Sequence, residues 1–201
     1  MEAEKVDINR HYTKEEYFDL LRDSLHKYDY LGGRVKMMAG GTAAHADIID
    51  NTFVALRTAD HSCRVKSGET AIAVSAANRY FFPDISAVCA ESVEYEPGGG
   101  IAKLTNPSLI IEVLSKDTAE YDRSEKFVTY RKLASFREYI LIDSRKYSIE
   151  SYYRESNDLW RIGSYHKLEQ QLPIYTLGIE VALTTIYDGV LLEEISFDGP
   201  A

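Results

Sequence analysis

A mixed β-sheet flanked by helices, in an α/β or α+β domain, is the fold class the sequence predicts. Residues 108–114 and 138–143 are nearly continuous apolar runs, the pattern of strands covered on both faces. Residues 28–38 and 149–165 alternate about turn residues, as hairpins do. Segments with helical spacing precede, separate and follow these strands. The 201 residues, 45% hydrophobic and 27% charged, suffice for a single domain over 1–201 whose core spans roughly 12–190.

Thr13 and Glu16 are spaced as a capping box ahead of Tyr17, Leu20, Leu21 and Leu25, which predicts a helix over 14–26. The first hairpin turns at Gly32-Gly33. Gly40-Gly41-Thr42 breaks it and offers an N-cap to a helix over 44–59, with Ile48, Ile49, Thr52, Phe53 and Leu56 on its apolar face. Strands are expected at 63–66, 70–74 and 84–89. Residues 94–105, containing Pro97-Gly98-Gly99-Gly100, read as a flexible loop. After the buried strand 108–114, a polar stretch over 115–123 leads into a helix with Phe127, Tyr130, Leu133 and Ala134 on its core side. Strand 138–143 and a hairpin of 149–154 with 160–165 about Asn157-Asp158 follow. A strand or loop segment, a short helix near 182–186 and frayed residues 198–201 complete the order.

The 23 basic and 32 acidic residues leave a net charge of −9, a field that repels phosphate backbones. This counts against a nucleic-acid coat protein. It counts less against an enzyme, which needs only a local basic strip and can recruit a cation. No apolar run approaches the ~18 residues of a membrane span, and the acidic first residues lack the apolar stretch of a secretory signal. A cytoplasmic location is therefore expected. Cys63 and Cys89 lack metal-site spacing and read as core thiols rather than a disulfide. Phosphate-cradling glycine loops, H-E-x-x-H and G-x-S-x-G are all missing.

The chemistry gathers around Glu112. A carboxylate inside Leu109-Ile110-Ile111-Glu112-Val113-Leu114 is costly unless it is paired or binds a cation. The plain alternative is a strand-end glutamate paired with an arginine. Asp84 follows Pro83 at the head of another apolar strand, where a turn carboxylate is the plain alternative. If the two strands are neighbours, the carboxylates converge, and two hard oxygen ligands with waters make a Mg²⁺ or Mn²⁺ site. Asp122, Lys126 and Tyr130 recur at intervals of four, which puts them on one helix face that could turn toward Glu112 or, for the charged pair, toward solvent. Lys116 lies in the loop after the strand. His45 heads a helix and could touch a phosphate or a metal-bound water. Glu69, before a strand, could add a third carboxylate or be a turn residue.

Pro83-Asp84 followed by Glu112-Val113-Leu114 resembles the metal motif of the PD-(D/E)XK nuclease superfamily. More specifically, the chain resembles the Uma-type restriction endonuclease family. The resemblance is carried by residues 28–35, His45, 80–85, 107–115, 122–131 and 137–143, in order across nearly the whole chain. It implies a restriction-endonuclease-like core and Mg²⁺- or Mn²⁺-dependent hydrolysis of DNA. Asp84 and Glu112 would hold the ion, and Lys126 would orient or deprotonate the attacking water. Two departures stand out. The motif lysine falls on Leu114, and in this family the lysine has moved to the helix, at Lys126. Family members often carry Glu where the first hairpin has Asp29 or Gly33, which gives this strip a weak supporting role. The alternatives are an inactive nuclease fold serving as a binding or assembly module, and a different enzyme or ligand-binding protein using the same carboxylates. A homodimer is expected, as two sites cut two strands, with Tyr152, Tyr153 and Trp160 as a candidate contact.

Overall fold

The computed structural model describes residues 6–38, 40–156 and 159–192. Helix α1 (Lys14–Asp23) leads into strands β1 (Tyr28–Leu31) and β2 (Val35–Met37), then helix α2 (Ala43–Thr58). Strands β3 (Arg64–Ser67), β4 (Ala71–Val74), β5 (Arg79–Phe81), β6 (Ile85–Val88), β7 (Lys103–Leu104) and β8 (Leu109–Leu114) follow. Helix α3 (Ala119–Tyr121) runs through a π turn (Asp122–Lys126) into α4 (Phe127–Tyr130). Strands β9 (Glu138–Asp143), β10 (Ile149–Ser156), β11 (Leu159–Tyr165), β12 (Gln171–Ile174) and β13 (Ile179–Ala182) precede the short helix α5 (Leu183–Ile186).

A six-stranded sheet has the order β11-β10-β9-β8-β6-β3, in which only β8 and β9 are parallel. Parallel neighbours need a crossover, and the α3–α4 segment supplies it. A second, five-stranded sheet has the order β2-β1-β5-β4-β7, and β12 pairs with β13 alone. The apolar strands β8 and β9 sit centrally, as their composition requires. Leu109, Ile111 and Val113 point into one core with Ile48 and Leu56 of α2. Ile110 and Leu114 point into the other, with Tyr130, Phe136 and Tyr139. Strand alternation therefore puts Glu112 on the face covered by the α3–α4 crossover. Among the described residues no helix is long and apolar enough to cross a membrane.

Several expectations are corrected. Helix α1 stops at Asp23 because Ser24 takes an extended backbone, and Leu25, spaced as a core residue, is fully exposed. The single expected sheet resolves into two main sheets, since β5 pairs with both β1 and β4. The loop over 94–105 contains β7, which pairs with β4 and carries the buried Lys103. A Cβ on Gly99 would come within 2.9 Å of the Phe18 ring, so a side chain there would disturb the packing of the loop on α1. Cys63 and Cys89 are not core thiols. They are joined in a disulfide, because antiparallel pairing of β3 with β6 sets them opposite each other just beyond Arg64 and Val88. The Asn157-Asp158 turn and residues 198–201 lie outside the described residues.

The Tyr187 hydroxyl ties α5 to the turn after β9. It accepts the Ser148 N–H at 3.2 Å and faces the carbonyls of Asp143, Lys146 and Ser148 at 3.1–3.2 Å. Tyr187→Phe leaves a buried N–H without this acceptor and is expected to destabilise the fold by about 1–3 kcal/mol. Urea unfolding of both proteins measures this, and an unchanged midpoint would contradict it.

Candidate active site

Asp84 and Glu112 are brought together by the register of β6 on β8. Ile85 pairs with Ile111, so one residue further along Asp84 stands level with Glu112 and Val113. The Asp84 Oδ2 accepts the Val113 N–H at 2.7 Å. Glu112 is 3% exposed, and its Oε1 accepts from the Lys126 ammonium at 3.0 Å and the Tyr130 hydroxyl at 3.2 Å. Lys126, buried as well, lies 3.0 Å from Asp122 Oδ1. Asp122, Lys126 and Tyr130 thus share the inward side of the crossover. The π turn between α3 and α4 spans Asp122 and Lys126, a distortion common at functional sites.

The cleft at this point encloses roughly 530 Å³ including its open mouth, and four carboxylates line it: Asp29, Asp84, Glu112 and Asp122. Burial pushes Glu112 well above the usual carboxylate range; Lys126 opposes the shift, while Asp122 and Asp84 add to it. Burial also raises Asp84 and Asp29, against the pull of His45 and Lys126 respectively. Burial alone would depress Lys126, yet Glu112, Asp29 and Asp122 together carry it well above the ordinary lysine value. The ammonium is thus held among three carboxylates that favour its charged form. The site is short of positive charge in a partly desolvated place, which is the environment a divalent cation relieves.

Not every expected residue joins the cluster. His45 does: its Nε2 lies 3.7 Å from Asp84 Oδ2, with Thr42 capping α2 through the His45 N–H. A Cβ on Gly41 would fall 2.4 Å from the His45 ring, so the glycine leaves room for that orientation. Glu69 does not. Its largely exposed carboxylate pairs with Lys27 at 2.5 Å, outside this cleft. Leu114, where the PD-(D/E)XK resemblance would place a lysine, is fully buried in the apolar core and cannot carry charge. Lys116 is exposed in the loop after β8. Asp29, given only a supporting role above, is 2% exposed, lines the cleft and accepts the Phe82 N–H at 3.2 Å. Its signal in the sequence was a carboxylate between two tyrosines in an alternating hairpin. Lys36 and Tyr121 also line the cleft and had no spacing signal.

Among the described residues no three His, Cys, Asp or Glu side chains are grouped as a ready cage for a metal ion. The donors nevertheless suit a hard cation that keeps several waters. The buried Asp122 Oδ1 has no hydrogen-bond partner of good geometry despite the nearby ammonium, and only Oε1 of Glu112 receives the two bonds from Lys126 and Tyr130.

The mixed sheets and short helices that bring these side chains together form an α+β domain that matches a nuclease-like fold. A crystal structure described as a putative nuclease belonging to DUF820, from Anabaena variabilis, has the same fold. Its TM-score is 0.66 at 15% identity, covering 87% of this chain and 99% of that one. The chain belongs to the Uma2 family, described as "Putative restriction endonuclease", which matches residues 14–185. Two uncharacterized proteins of Synechocystis sp. are similar to it. One, sll1609, is 30% identical over 74% of this chain and 84% of its own length. The other, slr1290, is 26% identical over 89% and 92%.

Two substitutions of opposite charge test the electrostatics in the absence of divalent cation. Lys126→Ala leaves Glu112 and Asp122 without their shared cation and is expected to cost about 3–5 kcal/mol. Asp84→Asn keeps the shape and the acceptor for the Val113 N–H while removing a crowded charge. It is expected to be as stable as wild type or more so, by up to ~1 kcal/mol, and to lose most of the melting-temperature gain that Mg²⁺ or Mn²⁺ gives. Thermal and urea melts with and without cation check both. An Asp84→Asn protein that is clearly destabilised yet keeps the full cation-induced gain would make Asp84 a structural turn carboxylate.

Proposed function

We propose that the chain is a metal-dependent DNA endonuclease with a PD-(D/E)XK-like site. The observation that carries this reading is the single cleft in which Asp84 and Glu112 stand side by side with Lys126 Nζ 3.0 Å from Glu112. Asp84 and Glu112 are the residues that would hold Mg²⁺ or Mn²⁺. Such an ion, when bound, polarises the phosphodiester and acidifies a water. Lys126 fixes Glu112 in place and presents positive charge toward the attacking water and the phosphate. Its role is to orient or deprotonate that water, from a position 3.0 Å from Glu112. Tyr130 locks the same carboxylate oxygen from the other side. His45 restrains Asp84 at the rim of the cleft.

The move of the lysine from strand to helix is compatible with activity, because the Lys126 ammonium reaches Glu112 at 3.0 Å although Leu114 carries no charge. An acidic protein of net charge −9 would approach DNA through local cations rather than its overall field. The expected two-fold dimer stays part of this reading, with its contact moved. Tyr152 and Trp160 are packed on Phe127 at 4.9 and 5.0 Å, whereas β11 is the outer strand of its sheet and exposes Leu159 and Ile162. Light scattering separates a dimer from the 22.8 kDa monomer.

Nicking of supercoiled plasmid in Mg²⁺ or Mn²⁺, absent in chelator, tests the activity. Glu112→Gln and Asp84→Asn are expected to lose it, and Lys116→Ala to retain it. Binding of DNA without nicking under every cation condition would favour the inactive nuclease-fold module instead. Loss of nicking in Lys116→Ala with retention in Lys126→Ala would move the catalytic cation to the loop.

A further inference from the structure

The cleft holds a second lysine that the motif does not account for. Strands β1 and β2 pair with Asp29 opposite Lys36. Their neighbours in register, Tyr30 and Val35, are buried in the aromatic cluster beneath. Alternation then sends Asp29 and Lys36 together to the opposite face, and both line the cleft. Lys36 is half-buried, and its Nζ sits 3.2 Å from the centroid of the Tyr121 ring.

The two cleft lysines differ in what they are free to do. An ammonium has three donors. Lys126 directs its charge to Glu112 and Asp122, both at 3.0 Å, and is 5% exposed. Lys36 makes no ion pair within 4.0 Å among the described residues, and the aromatic ring it rests on takes none of its hydrogens in a conventional bond. Burial draws its pKa below the ordinary lysine value and Lys126 adds to that, while Asp29 and Asp122 pull the other way without forming an ion pair with it. It is thus held in the cleft by a ring face and by diffuse negative charge, with its donors available to an arriving anion.

We propose that Lys36 is a substrate-binding residue that donates to a non-bridging oxygen of the phosphodiester in the cleft, while Lys126 serves the carboxylates. This deepens the nuclease reading and rests on it. Tyr121 positions the Lys36 stem, and the rigid β1–β2 hairpin fixes its reach. The cleft carries four carboxylates against two lysines. Without Lys36 the net repulsion of a phosphate there rises.

The test uses the whole protein with Lys36→Met and Lys36→Arg, and a short fluorescein-labelled DNA duplex in Ca²⁺, which supplies the hard cation while slowing cleavage. Anisotropy over a salt series is read beside plasmid-nicking kinetics in Mg²⁺. Lys36→Met is expected to bind about tenfold more weakly, as loss of a charge-assisted bond implies. Its dependence of log affinity on log salt is expected to be shallower by about 1. KM rises more than kcat falls, and Lys36→Arg recovers most of the binding. Thermal melts accompany each variant, and Lys36→Gln replaces Lys36→Met if the latter does not fold. An unchanged salt slope and KM in a folded variant overturns the assignment while wild-type nicking leaves the nuclease reading standing. A wild type that neither binds nor nicks DNA overturns both.

Discussion

Glu112 lies in a strand whose other five residues are apolar, and Lys126 is the group that makes that position tenable. A lone carboxylate buried there would take up a proton or pull the strand toward water. With the ammonium 3.0 Å away it keeps its place between two cores. The same contact fastens the α3–α4 crossover to the sheet it covers. It does so through a π turn, which widens the helix where Asp122 and Lys126 must both face inward. A buried pair of this kind adds little net stability, yet breaking it is expensive.

The sheet supplies the rest by register. Antiparallel pairing of β6 with β8 places Asp84 level with Glu112, and the Val113 N–H holds its carboxylate at 2.7 Å. Pairing of β1 with β2 presents Asp29 and Lys36 from a different sheet. The cleft lies where the two sheets and the crossover meet, so its charges come from segments far apart in the chain. Each is fixed by its surroundings: Asp29 by the tyrosines on either side of it, Lys126 by Glu112 and Asp122, and His45 by the capped start of α2.

The two lysines of the acidic cleft are held in opposing ways. One ammonium is consumed in pairing with the buried Glu112 and Asp122 and holding them in place. The other rests on a ring face with its donors open. A cation held between Asp84 and Glu112 would complete the charge balance, and the crowding of four carboxylates is what makes such a cation welcome.

Most of the order of elements (though not β5 or β7), the two central strands and the need of Glu112 for a partner were determined by the sequence itself, because each is a local property. An apolar run marks a doubly covered strand, and a carboxylate inside it demands a partner. The family pattern singled out Asp84 and pointed to Lys126, and the interval of four from Asp122 to Tyr130 put them on one face. Sequence alone did not decide which way that face turned, whether Glu69 reached the cleft, or that Asp29 and Lys36 lined it. Those depend on strand register and on the meeting of two sheets, which join residues too distant for any spacing to reveal. The same reason hid the Cys63–Cys89 bond: two thiols in separate strands read as core until β3 pairs with β6 and sets them opposite each other.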